Sequence, residues 1–278
     1  MPFNTYLLKI ERRDIVELKS ERRNWTREEL ILAFNLYCKI PFGQIHIRNP
    51  KVIELAALIS RTPSAVSWKL ANFARLDPSL KKRNISGASH GSKSEIEIWN
   101  DFNNNWEKLA YESEYLLSKI KGENIEQLVE FSNEEKQFLE GKEKDRIIKT
   151  RVNQNFFRKV ILATYNYSCC ITGLSVPELL IASHIVPWSI DKNNRLNPRN
   201  GLCLNAIHDR AFDRGLLSIT PDFVIKISPV IKNVKHDQIA INFLFKLENT
   251  KIKIPERFIP EREFLEYHYK NIFIKKVL

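Results

Sequence analysis

The sequence predicts an α+β chain, with a helical N-terminal domain followed by a C-terminal unit of two short strands and a helix. Three observations carry this. Residues 25–75 repeat apolar side chains at helical spacing behind clear start signals. Residues 179–215 alternate short apolar runs with turn residues, and a charged segment containing Gly141 separates the two regions.

The first helix starts at Trp25-Thr-Arg-Glu-Glu, with Thr26 as its cap and Glu28 and Glu29 in the first turn, where the helix dipole favours acids. Leu30, Phe34 and Tyr37 share one face of it. A second helix is expected over Pro50 to Ser60. Thr62 caps a third, Pro63 suits its first position, and the helix runs from about Ser64 to Arg75. Val66, Leu70 and Phe73 form its inner face. Ser64, Ser67, Trp68, Asn72 and Arg75 are expected on the opposite face, with Lys69 at the border. Three helices with a short break before the last resemble a helix-turn-helix, and Trp25-Thr-Arg-Glu-Glu resembles the opening of Myb/SANT-like domains. In that arrangement the third helix enters the major groove, making Ser64, Trp68, Lys69, Asn72 and Arg75 the candidate DNA contacts. Such tri-helical folds also serve protein contacts, with Trp68 packing on the other helices. Lys81-Lys82-Arg83 reads as a loop that tracks a phosphate backbone or is merely solvated.

Ile85 to Lys93 reads as a connector rich in Gly, Ser and His. Ser94 to Ile120 reads as one helix with Ile98, Phe102, Trp106 and Leu109 as its apolar stripe. Ser132 to Lys149 reads as a charged linker. Beyond the two-strand unit, Phe223 to Ile227 and Gln238 to Leu247 read as strands and Glu261 to Tyr269 as a closing helix. The domain boundaries expected are 1–90 for a helical DNA-reading module, 91–140 for a helical connector and 141–278 for a C-terminal domain.

Chemistry concentrates between Cys169 and Ile219. His184 ends an apolar run closed by Pro187, Asn200-Gly201 precedes the run Leu202-Cys203-Leu204, and His208 opens a short helix stopped by Gly215. His, Asn and His lie 16 and 8 residues apart, so strand, loop, strand and helix bring them to one end of a ββα unit. A neutral imidazole takes a proton from water, which makes His184 the candidate base. The Asn200 amide can hold an imidazole or a loop in register. His208 with a nearby carboxylate, Asp213 first and Asp209 second, can hold a divalent cation. Arg195, Arg199, Arg210 and Arg214 surround these positions and suit phosphates. Each residue also has an ordinary structural reading: a satisfied core histidine for His184, a turn for Asn-Gly, a helix cap for His208-Asp209, and an arginine salt bridge for Asp213.

The segment from about Arg146 to Leu217 resembles the HNH endonuclease superfamily, in its bacterial restriction-type branch. The matching words are Cys170-Ile-Thr-Gly173, Leu180-Ile-Ala-Ser-His184-Ile-Val-Pro-Trp188, Asn197-Pro-Arg-Asn-Gly-Leu202 and His208-Asp-Arg-Ala-Phe-Asp-Arg-Gly215. Arg151-Val-Asn-Gln154, Phe156-Phe-Arg158 and Phe264-Leu-Glu-Tyr-His268 also resemble this branch. The resemblance implies a ββα-metal nuclease domain and DNA cleavage dependent on a divalent metal, Mg²⁺ or Mn²⁺. It also implies His184 as base, Asn200 as its support and His208 as metal ligand. Ser183 stands where many members carry a metal-ligating acid or histidine, which leaves the second ligand open. It also keeps open the alternative of an inactive HNH-fold DNA-binding regulator. Expected partners are double-stranded DNA and a second copy of the chain.

Composition fits this reading. The chain of 278 residues carries a net charge of +11 and a pI near 9.4, which favours a polyanionic partner. Residues 1–90 carry +8, residues 91–150 carry −5 and residues 151–278 carry +8, so two basic blocks flank an acidic one. Cys38, Cys169, Cys170 and Cys203 form no C-x-x-C pair, so no structural zinc is expected. The absence of a long apolar run argues against a membrane span, and unpaired cysteine usage fits a reducing cytoplasm.

Overall fold

The structure, a computed structural model, describes residues 23–83, 91–128, 141–234 and 237–275. Helix α1 (Arg27–Lys39) begins on the expected Thr26 cap, closed into a capping box by Glu29. Helices α2 (Pro50–Leu58) and α3 (Pro63–Ala74) follow, with Thr62 capping α3 and Pro63 at its first position. Pro78–Lys82 is a short helix, α4, where a loop was expected; Asp77 accepts from the Ser79 amide and Pro78 supplies a helical φ. The single helix expected over Ser94 to Ile120 is two, α5 (Lys93–Phe102) and α6 (Trp106–Lys121). Asn105 caps α6, and its competition for backbone donors explains the break.

Helix α7 (Gly141–Thr164) takes in part of the segment read as linker; residues 129–140, like most of the expected connector 85–93, lie outside the described residues. Strands β1 (Leu180–His184) and β2 (Gly201–Asn205) pair antiparallel, with His184 opposite Gly201. Helix α8 (Ala206–Asp213) follows directly, capped by Asn205 rather than by His208 or Asp209, and ends at Gly215, whose φ of 66° is the left-handed conformation glycine tolerates. Strands β3 (Leu217–Ile219) and β4 (Ile225–Ile227) make a second antiparallel pair. Gln238 to Leu247, expected as a strand, forms helix α9 (Gln238–Phe243) and a 3₁₀ turn, because the Asp237 side chain accepts from two amides and nucleates a helix. Helix α10 (Arg262–Asn271) closes the chain.

One continuous cluster of buried apolar side chains runs from Leu30 in α1 to Leu265 in α10. Helix α7 is its spine, packing on α1 and α6 and also on β1 and β2. Adjacent phenylalanines serve the two sides. Lys39 of α1 sits over the Phe156 ring, and Phe157 lies under His184. A second tie is Arg257, only 1% exposed, whose guanidinium donates to the carbonyls of Tyr37, Cys38 and Ile40. A helix C-terminus leaves such carbonyls without intrahelical partners, so the C-terminal segment caps α1. The Arg257 charge also lies 4.6 Å from the Tyr37 ring and 5.4 Å from that of Phe258.

Candidate active site

His184 stands at the end of β1, where three groups fix its ring. Phe157 stacks beneath it, with centroids 4.0 Å apart and planes 4° apart, and Trp188 meets it edge-on at 5.5 Å. Its Nε2 lies 2.8 Å from the Arg195 carbonyl. A carbonyl only accepts, so Nε2 carries the hydrogen and Nδ1 is left with a lone pair. Burial holds the imidazole below its ordinary value, opposed by the Arg195 carbonyl, so the neutral base is the form favoured near neutral pH.

Asn200 is fully buried and does its work through the loop. Its Oδ1 accepts from the Val186 amide at 2.8 Å, and its Nδ2 donates to the carbonyls of Val186 and Asn194, both at 3.2 Å. It therefore pins the 186–195 loop whose Arg195 carbonyl orients His184; the sequence-level alternative of direct contact with the imidazole is not the one adopted. Gly201 lets α7 come close: a Cβ there would lie 2.3 Å from Ile161 Cδ1 and 2.9 Å from Phe157 Cζ.

A cleft of about 530 Å³ opens before His184, lined also by Ser183, Asp209, Arg210, Asp213 and Arg214. Asp209 and Asp213 are one turn apart on α8, which puts both on the face toward the cleft. Partial desolvation raises both carboxyls above their ordinary range. Ser183 and Arg210 oppose this at Asp209 while Asp213 reinforces it, and Arg210 and Arg214 oppose it at Asp213.

His208 departs from expectation. The residue before Asp209 points about 100° away around a helix, and its ring is fully buried, with Nε2 donating to the Phe243 carbonyl at 2.7 Å. The ring neighbours Cys169: although burial by itself raises that thiol, hydrogen bonding around the sulfur, Thr172 included, brings it down to about 6. The His208 ring, expected at the metal, is thus placed in the interior, and Asp209, the weaker candidate, joins Asp213 at the cleft. His268 also lines the cleft, but Nε2 donates to the Phe212 carbonyl at 3.1 Å and Nδ1 accepts from Ser218 Oγ at 2.8 Å, so both nitrogens are committed.

The donor set on the cleft suits a hard divalent cation. Among the described residues no group of three or more His, Cys, Asp or Glu side chains assembles for a metal. Two carboxylates are nevertheless the usual protein contribution to a Mg²⁺-type site that draws its remaining oxygens from water and substrate phosphate.

The arginines divide into two pairs. Arg210 and Arg214 are exposed at the cleft. Arg195 donates from Nε to the Trp188 carbonyl and stacks over that ring at 5.0 Å, while Arg199 is largely buried 4.0 Å from Glu261. Both build the loop as much as they offer charge.

On α3, Ser64 is exposed and Trp68 is 63% exposed. Lys69 and Asn72 are not outward. Both turn to Glu95 of α5, a fully buried carboxylate: Lys69 Nζ pairs with Oε1 and Asn72 Nδ2 donates to it at 2.9 Å. Arg75 is half-buried, its guanidinium against Gly91. The expected outward face of α3 is corrected at these positions, because a buried carboxylate requires partners and α5 brings one to that side.

Sequence reasoning assigned no role at the site or in the fold to Phe157, the Arg195 carbonyl, Cys169 or Arg257. Only Phe157 left a signal, in the Phe156-Phe157 doublet on the helix before the strands. No helix among the described residues is long and apolar enough to cross a membrane. No curated protein matches the chain. Residues 169–220, a segment that holds His184, Asn200, Asp209 and Asp213, match the family described as HNH endonuclease.

Proposed function

We propose that the chain is a metal-dependent endonuclease that hydrolyses phosphodiester bonds of double-stranded DNA, of the restriction-type branch and serving defence against foreign DNA. The observation that carries the chemistry is His184: its Nε2–H is committed to Arg195, and its ring stands at a cleft with two carboxylates. Nδ1 takes a proton from water as the water oxygen bonds to phosphorus. The bond from phosphorus to the 3′ oxygen breaks and that oxygen takes a proton from solvent water, leaving 5′-phosphate and 3′-hydroxyl ends. Asp209 and Asp213 would hold the divalent cation, Mg²⁺ or Mn²⁺, which when bound supplies positive charge for the phosphorane and the leaving oxygen. Exposed Arg210 and Arg214 bind flanking phosphates. On α3, exposed Ser64 and Trp68 touch DNA. A double-strand break uses two copies of the site, supplied by a second copy of the chain.

The test is plasmid cleavage with Mg²⁺, Mn²⁺ or EDTA, on modified and unmodified DNA, by wild type and His184→Ala. Metal-dependent nicking that falls about 10²–10⁴-fold in the variant is expected. Tight DNA binding with no cleavage by wild type under any condition would instead favour an inactive regulator, with Ser183 in place of a metal-ligating residue as the feature behind it.

A further inference from the structure

A second cavity lies away from the nuclease cleft and shares no lining residue with it. It occupies about 320 Å³ between α1, α2 and α6, with Lys159 of α7 at its edge. That is the lower end of the range for small-molecule pockets, about 300–1,000 Å³.

Its chemistry is layered. Asn35, 5% exposed, lines the interior, and its Oδ1 has no hydrogen-bond partner. An amide in that state costs free energy unless a ligand or water satisfies it. Half-buried Leu36, Leu58 and Leu117 supply apolar walls. Lys51, Lys121 and Lys159 stand exposed around the opening, and buried Lys39 lies within. The four ammonium groups face two carboxylates: Lys39 pairs with Glu114 at 2.8 Å, and Lys121 lies 3.9 Å from Glu54. Lys51 and Lys159 have no carboxylate in ion-pair range among the described residues; Lys51 reaches only the Tyr167 hydroxyl, at 3.4 Å.

Each layer restricts the occupant. An inorganic anion would satisfy the lysines and leave the leucine walls wet. An acyl chain would cover the leucines and leave the Asn35 amide unpaired. A flat heterocycle with a donor–acceptor edge, joined to an anionic group, satisfies all three layers. We propose that this cavity is a binding site for a mononucleotide, its base edge read by Asn35 between the leucine walls and its phosphate held by Lys51 and Lys159.

The test is calorimetric titration of the full chain with the four common ribonucleoside 5′-monophosphates, inorganic phosphate and adenosine. Lys51→Gln and Lys159→Gln are measured beside wild type; both side chains are exposed, and melting curves check that the variants fold. At least one nucleotide is expected to bind saturably, and to bind about tenfold more weakly in each variant, the loss of one charged hydrogen bond. Phosphate or adenosine should bind far more weakly than that nucleotide. Inorganic phosphate binding as tightly as every nucleotide, or nucleotide affinity unchanged in both variants, would overturn the proposal. So would the absence of saturable binding by every nucleotide; weakened duplex binding in the variants would then make these lysines a DNA backbone track.

Discussion

Helices α3 and α8 each carry polar residues that sequence pattern assigns to nucleic-acid chemistry, and the fold treats them differently. On α8 the acids at i and i+4 reach the cleft while the neighbouring histidine enters the interior. On α3 the residues at the border of the exposed stripe are taken by a buried carboxylate from another helix. Within one helix, spacing predicts which residues share a face. It cannot predict which face a later element will cover.

The largest effect expected from this contrast is at α8. Replacing Asp209 and Asp213 together by Asn should lower the cleavage rate by several kcal/mol of barrier, on the order of 10³-fold, with duplex affinity in a gel-shift assay retained. Next comes α3. Lys69→Met leaves Glu95 buried without its cation and should cost about 3 kcal/mol in urea denaturation. DNA affinity per folded molecule should stay near wild type. A loss of affinity at full stability would restore Lys69 as a DNA contact.

Gly201→Ala should cost about 2 kcal/mol of stability, because the new methyl meets Ile161 and Phe157 in a packed interior. Cleavage should fall as well, since Phe157 is the platform under His184. The smallest effect concerns pH. The base must be deprotonated, and burial depresses the His184 value from 6.5, so the active form persists to lower pH than for a free imidazole. The acid limb of kcat/KM should therefore lie below pH 6.5, and a limb above it would contradict the neutral, buried base.

Local signals in the sequence were reliable where the physics is local. Thr26 and Thr62 cap the helices expected of them, Pro63 sits at the first helical position, and Gly215 ends α8 in the left-handed region. The strand carrying His184 and its pairing beside Asn200-Gly201 were also legible from apolar runs and turn residues. Long-range determinants were not. Arg257 caps a helix some 220 residues away, and nothing near it in sequence marks that role. Lys69 and Asn72 turn inward for Glu95, a residue on a helix that pattern alone assigned to a connector. Gln238 to Leu247 has enough apolar residues for a strand, yet the Asp237 cap makes it helical. For the site, the motif gave the segment that the family model matches and a histidine, His184, that stands at the cleft. It could not say which of His208 and Asp209 would face the cleft, because adjacent residues on a helix diverge and only packing against Cys169 and Phe243 decides.

The central claim is that the two aspartates, and not His208, hold the metal beside His184. Mn²⁺ bound to the complex with duplex DNA can be counted by electron paramagnetic resonance in a His184→Ala background, where the duplex stays intact. The account predicts bound Mn²⁺ in that background, its retention when His208→Gln is added, and its loss when Asp209→Asn and Asp213→Asn are added. Loss with His208→Gln in a folded protein, and retention without the aspartates, would contradict it.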